Sequence, residues 1–233
     1  MLIRIISLIR KITPEYLFYL ITNFWQFIEW KKRNFLDNSP QFIKEKIFMK
    51  YSCPNGQWIE TGTYKGMTTK FLSQKFNMVH SIEPGKILFT DACVKLNCVT
   101  QNVFFEDEKN AIHAAISENK KIILYNGLSV AVMSLLLPKL RGDINFWLDG
   151  HYSGGNTFKA DKECYVQEEL LIIKNNLSNF TKVTILIDDV RCFLLPNKFR
   201  DYPDINYLVE WAKENNFFWR IEHDIFIMHK NNI

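Results

Sequence analysis

Acidic side chains and one imidazole follow two apolar segments in the second half of the chain. One segment, Ile-Asn-Phe-Trp-Leu, runs directly into Asp149 and His151, and a second, Val-Thr-Ile-Leu-Ile, runs into Asp188 and Asp189. Both segments have the length and composition of buried strands, and the carboxyl ends of parallel strands meet at one edge of an open α/β sheet. Three acids at one edge repel each other unless a proton, a cation or hydrogen bonds compensate them. The pattern therefore predicts a charged site, with Asp149 and His151 as candidate catalytic residues.

The chemistry of these groups suggests two roles. Carboxylate oxygens are the ligands that Mg²⁺ and other hard divalent ions prefer, so Asp149, Asp188 and Asp189 are candidate metal ligands. Helix capping or pairing with Arg191 is the alternative for the last two. An imidazole has a reference pKa of about 6.5, which suits proton removal near neutrality, so His151 is the candidate general base. A structural hydrogen bond in the turn is the alternative for His151.

A glycine-containing turn lies earlier in the chain, between a predicted strand at residues 57–60 and a predicted helix at residues 67–76. Glycine lets the backbone approach a ligand, and the free N–H groups of the following helix face an anionic group. The turn lacks the Gly-Lys-Ser/Thr end of a Walker loop. It also lacks the Gly-x-Gly-x-x-Gly spacing of the dinucleotide fingerprint. The candidate residues for another cofactor are Glu60, Gly62, Thr63 and Gly66.

A second acid ends the next predicted strand, at residues 78–83. Glu83 follows the glycine turn by about 20 residues, where nucleotide-binding α/β folds place the acid that accepts both ribose hydroxyls. We therefore expect Glu83 to bind a ribose. A solvent-exposed acid at a strand end is the alternative.

Several strings of residues resemble a known family. The turn has the form Glu-x-Gly-x-x-x-Gly, which is similar to motif I of the class I S-adenosylmethionine-dependent methyltransferases. The strings NGLS (126–129), NFWLDGHYSGG (145–155), EEL (168–170) and LIDDVRCF (186–193) resemble a bacterial group of these enzymes, often found among genes for surface polysaccharides and other glycans. The resemblance covers about residues 56–195.

The resemblance implies a fold, a cofactor and further site residues. It implies an α/β, Rossmann-like, seven-stranded methyltransferase sheet with helices on both faces, and S-adenosylmethionine as the cofactor. It places Asn126, Gly127 and Leu128 near the adenine, and Glu60 and Asp149 near the methionine part and the reacting centre. The acids after the two strands are similar to those of metal-dependent O-methyltransferases of the catechol type, which implies Mg²⁺ as a second cofactor.

Composition sets limits on the class of protein. The chain has 233 residues and is 47% hydrophobic, which is enough for one substantial α/β core. Five cysteines without a Cys-x-x-Cys pair indicate a reducing, cytoplasmic setting. Residues 1–50 hold nine Lys and Arg against four Asp and Glu, whereas residues 51–233 hold 20 against 21. The near-neutral second part does not favour nucleic acid as a substrate.

The basic first part predicts a helical extension at residues 1–50, ahead of a catalytic domain at residues 51–233. Its aromatic helix, from residue 14 to about 36, is too short in its apolar part to cross a hydrocarbon core of about 30 Å. One interpretation is a peripheral anchor at the inner membrane face, with aromatic side chains and cations against anionic lipid. The other is a helical cap that packs on the catalytic domain or contacts a second copy through residues 1–36.

Two further segments complete the prediction. Between Glu83 and Lys121 we predict a helix at residues 86–97, a short strand at 102–105 and a charged helix at 106–118. The C-terminal part predicts a helix at 203–216 and a hairpin of strands at 217–222 and 225–229, which would supply the last two strands of the sheet.

These predictions combine into one leading function and two alternatives. The leading function is an S-adenosylmethionine-dependent O-methyltransferase that acts on a hydroxyl of a sugar or glycan precursor, with assistance from a metal or from His151. One alternative is a metal-dependent hydroxylase or other sugar-modifying enzyme on the same fold. The other is a non-catalytic, membrane-associated binding module.

Overall fold

The computed structural model describes residues 15–35, 38–101, 112–150, 161–195 and 199–231. The helices of this part are α1 (Glu15–Lys32), α2 (Gln41–Tyr51), α3 (Met67–Lys75), α4 (Lys86–Lys95), α5 (Ser129–Leu136), α6 (Val166–Asn176), α7 (Val190–Phe193) and α8 (Ile205–Glu214). The strands are β1 (Gln57–Thr61), β2 (Val79–Glu83), β3 (Cys98–Gln101), β4 (His113–Ser117), β5 (Ile122–Asn126), β6 (Gly142–Leu148), β7 (Phe180–Ile187), β8 (Phe218–Glu222) and β9 (Ile225–Asn231).

The described strands form one mixed sheet in the order β3-β4-β5-β2-β1-β6-β7-β9-β8. The five central strands, β5, β2, β1, β6 and β7, are parallel, whereas the hairpins β3–β4 and β8–β9 add antiparallel strands at the two edges. Chain order reverses between β1 and β6, and ligands of open α/β sheets bind outside the strand ends at such a switch point. The expected sheet with helices on both faces is confirmed, and the C-terminal hairpin lies at its edge.

The described sheet is larger than expected, and one predicted helix is wrong. The sheet has nine described strands instead of seven, because β3 and β4 extend it beyond β5. We predicted a helix over residues 106–118, but residues 113–117 form β4, which pairs with both β3 and β5. Pairing on two sides outweighs the weak helical preference of this alanine-containing segment. The strand predicted at residues 102–105 lies outside the described residues.

Alternating side chains divide the core between the two faces of the sheet. On one face, Ile59, Phe146 and Ile185 pack with α5, α6 and α8. On the other face, Trp58, Trp147 and Leu186 pack with α2 and α3. Because side chains alternate along a strand, the residue after each of these strands has a predictable face.

Helix α2 belongs to the second of these cores. Phe48 is fully buried and makes edge-on contacts with the rings of Trp58 and Trp147, at centroid distances of 5.4 and 4.8 Å. Its neighbour Ile47 is 1% exposed in the same cluster. The α2 helix therefore has a fixed position relative to the central strands, although the sequence assigned it to an extension.

Helix α1 packs against α2 through the rings of Phe27 and Phe42, whose centroids lie 6.4 Å apart. Trp30 is 4% exposed and packs edge-on against Phe35 and His223, at centroid distances of 4.7 and 5.5 Å. In contrast, Phe24 and Trp25 are 63% and 54% exposed. Within the described part of the chain, no helix combines the length and the hydropathy that a membrane span requires.

Candidate active site

The glycine turn joins β1 to α3 at the switch point of the sheet. Gly62 has φ +87°, and a Cβ atom built on it would lie 2.5 Å from the carbonyl oxygen of Asp149. A side chain at this position would therefore be strained and would also clash with backbone. The glycine allows the ends of β1 and β6 to approach each other, which brings the turn against Asp149.

Helix α3 begins beside this turn. Gly66 has φ +74° at the N-cap position, and its N–H donates to the carbonyl oxygen of Thr63 over 2.8 Å. No side chain caps this helix, and its first residues, Met67 and Thr68, line a cavity. An uncapped helix N-terminus next to a cavity favours an anionic ligand group there.

Glu60 lies beneath the turn, on the α3 side of the sheet. Its side chain is fully buried, and Oε2 accepts hydrogen bonds from the hydroxyls of Thr69 at 2.5 Å and Ser81 at 2.6 Å. Its Oε1 has no hydrogen-bond partner among the described residues. Burial raises the pKa of Glu60 to about 7, although the two hydroxyls lower it. Glu60 thus connects β1, β2 and α3, while Thr63, whose hydroxyl lies 2.6 Å from that of Ser81, reaches the cavity.

Glu83 lies at the end of β2 and is 4% exposed. Its Oε2 accepts the backbone N–H of Tyr64 and its Oε1 accepts that of Gly85, each at 2.9 Å. Burial raises the pKa of Glu83, and the two N–H groups lower it. The interpretation of a solvent-exposed acid is therefore wrong. Each carboxylate oxygen can accept a second hydrogen bond, so two acceptor positions remain for a pair of ribose hydroxyls.

The end of β5 lies beside the end of β2, where the resemblance places the adenine. The side-chain amide of Asn126 donates to the carbonyl oxygens of Glu83 at 2.8 Å and Pro84 at 3.2 Å. The Gly127 N–H also donates to the Glu83 carbonyl oxygen, at 3.2 Å. Leu128 is the residue immediately before α5. These contacts bring Asn126 and Gly127 next to Glu83, and Leu128 follows them in the chain.

Asp149 and Asp188 lie side by side after β6 and β7. The two strands pair Leu148 with Ile187, and alternation then places both aspartates on the α2 face. Between them lies Lys44 of α2, whose ammonium group donates to Asp188 Oδ2 and lies 3.8 Å from Asp149 Oδ2. The same ammonium lies 5.3 Å from the centre of the Trp147 ring.

The charges of this cluster affect each other strongly. Burial alone would lower the pKa of Lys44, but Asp149 and Asp188 outweigh that effect and hold it above its usual value. Burial raises the pKa of Asp149 well above its usual range, which Lys44 partly offsets. Burial likewise raises the pKa of Asp188, again against the effect of Lys44. The two acids therefore favour the charged form of Lys44 at this edge of the sheet.

Asp189 belongs to a different set of contacts. It adopts φ 61° at the start of α7, and its Oδ1 accepts a hydrogen bond from Arg191 at 2.9 Å. Arg191 also donates to Asp224, in the turn between β8 and β9. This is the alternative that the sequence left open for Asp189, and it separates Asp189 from the pair formed by Asp149 and Asp188.

This donor set does not fit the expected Mg²⁺. A divalent ion needs several oxygen ligands around one point, but an ammonium lies between two of the three acids and a guanidinium holds the third. Across residues 15–35, 38–101, 112–150, 161–195 and 199–231, no three His, Cys, Asp or Glu side chains are grouped for metal binding. Lys44 supplies a compensating charge for Asp149 and Asp188, and Arg191 supplies one for Asp189.

A cavity of about 520 Å³ opens beside these residues. Its floor contains Gly62, Thr63, Lys44 and Asp149. Its roof comes from α1 and the segment that leads into α2, with the side chains Gln26, Glu29, Trp30, Arg33, Asn38, Ser39 and Gln41. The volume lies within the usual range for small-molecule sites. The N-terminal helices thus form one wall of the candidate site.

Solved structures of other proteins share this architecture. A methyltransferase from Geobacter sulfurreducens matches with a TM-score of 0.51 and 10% sequence identity over 98% of this chain and 96% of that chain. SMU.1697c from Streptococcus mutans, in complex with SAH, matches with a TM-score of 0.48 and 13% identity over 84% and 99% of the two chains. A precorrin-6y C5,15-methyltransferase from Geobacter metallireducens matches with a TM-score of 0.48 and 8% identity over 83% of this chain and 90% of that chain. No family model matches the sequence, and no curated protein does.

The chain has the Rossmann-like methyltransferase fold. At these identities the likeness concerns the fold alone. In this methyltransferase fold, the glycine turn, Glu83, the end of β5 and Asp149 all lie at the carboxyl edge of the parallel strands.

Sequence analysis missed two parts of the site. Lys44 was counted only as part of a basic extension, and no local pattern marks a single lysine on a short helix. Thr69 and Ser81, which hold Glu60, look like ordinary residues of an amphipathic helix and a strand. A partial signal was available for Lys44, because a cation was one of the three means of compensation that the predicted acids left open. His151, the predicted general base, lies outside the described residues.

Glu169, the middle residue of the EEL string, lies on the opposite face of the sheet. It is 2% exposed on α6, and burial raises its pKa to about 7 while the hydroxyls of Ser129 and Thr61 lower it. Glu169 therefore lies near the last residue of β1 and the first residue of α5, on the face of the sheet away from Lys44. No role was predicted for it.

Proposed function

We propose that this protein transfers a methyl group from S-adenosylmethionine to a hydroxyl oxygen of a sugar or glycan precursor. The observation that carries the proposal is the convergence of the glycine turn, Glu83 and Asp149 at the switch point of a methyltransferase fold. Each group has a matching part of the cofactor. The free acceptor positions of Glu83 suit the ribose hydroxyls, and the uncapped start of α3 suits the methionine carboxylate.

The polar roof of the cavity supports a sugar as the acceptor. Gln26, Glu29, Asn38 and Ser39 offer amide, carboxylate and hydroxyl groups around one space. Such groups can donate to or accept from the many hydroxyls of a saccharide. The resemblance to a group of enzymes from glycan gene clusters agrees with this choice. A flat aromatic acceptor would favour a more apolar pocket.

Methyl transfer needs few covalent steps. The acceptor oxygen forms a bond to the methyl carbon while the bond from that carbon to the sulfonium breaks, and the sulfur keeps the electron pair. The hydroxyl proton must pass to a base, for which we propose Asp149, 32% exposed toward the cavity, or His151. Alignment of sulfur, carbon and oxygen supplies much of the rate.

The experiment that tests the cofactor is calorimetric titration of the protein with S-adenosylhomocysteine, with and without Mg²⁺. We expect micromolar binding that Mg²⁺ does not change and that Glu83→Ala weakens at least tenfold, because two ribose hydrogen bonds are lost. The matched control is Glu118→Ala, an exposed acid after β4 at the opposite edge of the sheet. Absence of binding to the wild-type protein would contradict the proposal.

The acceptor is tested separately. Radiolabelled S-adenosylmethionine is incubated with the protein and a panel of mono- and oligosaccharides, with catechol and a short RNA as other classes of acceptor. We expect label in a saccharide, at an alkali-stable ether. Label in RNA or catechol alone would contradict the acceptor class while leaving the cofactor assignment in place.

We also propose a cytoplasmic location with peripheral contact at the inner membrane face. Phe24, Trp25, Lys31 and Lys32 lie on one side of α1 and are exposed, whereas Gln26, Glu29 and Trp30 face the cavity. Exposed aromatic rings beside cations are typical of helices that lie on anionic membranes.

A further inference from the structure

Lys44 is a buried ammonium group at the point where a cofactor and an acceptor would meet. Its side chain is 11% exposed, and it lines the cavity together with Gly62 and Asp149. Buried lysines are rare unless they are paired, and here the pairing partner is Asp188, which is 1% exposed. The ion pair therefore holds the lysine side chain in the wall of the cavity, with Asp188 behind it.

The position of Lys44 is set by the core. On α2, Phe48 follows Lys44 by one helical turn and is held between Trp58 and Trp147. Residues four apart lie on the same side of a helix, so the buried ring fixes the direction of the lysine. Ile47, also buried, adds to the same contact. The ammonium is thus held by packing before any ligand arrives.

The ammonium group has hydrogen-bonding capacity left for a ligand. A lysine carries three N–H donors. Among the described residues, Asp188 is the one group that accepts a hydrogen bond from it, and Asp149 lies at 3.8 Å, beyond hydrogen-bond distance. An acceptor oxygen placed in the cavity can therefore take a second donor while Asp149 takes its proton.

We propose that the Lys44 ammonium acts as the cation of this active site, in place of a divalent metal, and holds the acceptor oxygen during methyl transfer. The proposal rests on the proposed function. It assigns Lys44 a role that the resemblance gave to Mg²⁺, because the geometry leaves no room for both charges between Asp149 and Asp188. A cation held by packing costs no reorganisation during the reaction.

The step balances without a metal. The acceptor O–H proton moves to the Asp149 carboxylate, the oxygen lone pair forms the bond to the methyl carbon, and the bond from that carbon to the sulfonium breaks toward sulfur. Lys44 keeps its proton throughout and stabilises the negative charge that develops on the oxygen. The products are the methyl ether, S-adenosylhomocysteine and a proton released later from Asp149.

The first test asks whether a metal enters the site, with Mn²⁺ as the probe and electron paramagnetic resonance as the measurement. We expect no Mn²⁺ binding at this site in the wild-type protein. The Mn²⁺ spectrum should therefore be the same for the wild type and for Asp188→Asn. Binding of Mn²⁺ that depends on Asp188 would overturn the proposal, because a metal would then displace the lysine. This test needs no acceptor, so it remains valid if the saccharide panel gives no product.

The second test separates catalysis from stability and uses the saccharide acceptor with an excess of the chelator EDTA. We expect turnover to persist in EDTA and Lys44→Met to lower kcat by roughly 100-fold, as the loss of a charge-stabilising donor does. Binding of S-adenosylhomocysteine should change less than threefold, roughly, since Lys44 faces the acceptor. Lys46→Met, an exposed lysine on the same helix, is the matched control.

A double variant guards against simple unfolding. Lys44→Met leaves Asp188 buried without its partner, whereas Lys44→Met with Asp188→Asn removes both charges and is expected to regain stability. A stable double variant that stays inactive supports a catalytic role. Recovery of turnover along with stability would overturn the proposal, because Lys44 would then only support the fold.

Discussion

At the scale of single residues, Glu60 has the clearest measurable property. Its carboxylate is fully buried, and burial raises its pKa to about 7, compared with 4.5 for an ordinary glutamate. At pH values between these two pKa values, the folded protein holds a proton on Glu60 that the unfolded chain has lost. The free energy of unfolding therefore falls as pH rises through this window, by about 3 kcal/mol in total from Glu60. Above the window the contribution of Glu60 is constant.

The corresponding prediction concerns Glu60→Gln. The amide oxygen can still accept the hydroxyls of Thr69 and Ser81, but it carries no charge. We expect the variant to be more stable than wild type at pH 8, by about 1–3 kcal/mol, with a smaller difference at pH 5. Urea denaturation at both values measures this, and Glu118→Gln, at an exposed site, is the control. An equal change at the two pH values would contradict the raised pKa.

At the scale of elements, α1 presents two different faces. Gln26, Glu29 and Trp30 line the cavity, and the opposite side carries the exposed Phe24 and Trp25. An amphipathic helix normally turns its apolar side inward. Here the inward side is largely polar and the outward side is aromatic and basic, which is the arrangement that our membrane proposal explains.

Vesicle cosedimentation tests this interpretation of α1. We expect wild-type protein to bind vesicles of phosphatidylglycerol and phosphatidylcholine, and Phe24→Ser with Trp25→Ser to weaken binding at least tenfold, because apolar area is lost. The chain offers a matched control in Phe218 and Trp219, an exposed Phe-Trp pair on β8 at the far edge of the sheet. Equal losses from both pairs would mean that α1 has no special role at the membrane.

The basic residues of α1 give a second, separable effect. Each lysine near an anionic surface contributes about 1 kcal/mol, so Lys31→Gln with Lys32→Gln should weaken binding to these vesicles by roughly 30-fold. Binding to pure phosphatidylcholine should not change. Both effects should shrink at high salt. A loss that is independent of lipid charge would contradict an electrostatic contribution.

At the scale of the whole molecule, α2 and the sheet share one hydrophobic cluster. Phe48 is fully buried among residues of β1, β6 and α3, although the sequence suggested a domain boundary near residue 50. We expect Phe48→Ala to lower the free energy of unfolding by about 3–5 kcal/mol. Met49→Ala, next to it and 53% exposed, should change it by less than about 0.5 kcal/mol. Similar values for the two variants would indicate that α2 is not part of the core.

The meeting of the acids at one edge of a sheet was predictable from the sequence. Alternation along β6 and β7 places Asp149 and Asp188 on one face, and the glycine turn marks the switch point. The contact of Lys44 with Asp188 was not predictable from the sequence, because it joins residues 144 apart along the chain. Only packing of Phe48 between two tryptophans decides it. Similarly, β4 depends on pairing with its neighbours, since its own sequence, His-Ala-Ala-Ile-Ser, fits either a helix or a strand.

The polar inner face of α1 has a consequence for how a substrate is found. If α1 rests on the membrane, the roof of the cavity and the lipid surface are two sides of the same helix, separated by about its 10 Å diameter. An acceptor carried on a lipid would then meet the pocket by lateral diffusion within the bilayer plane. The search becomes two-dimensional, and the rate of encounter depends on the surface density of the acceptor instead of its concentration in the cytoplasm.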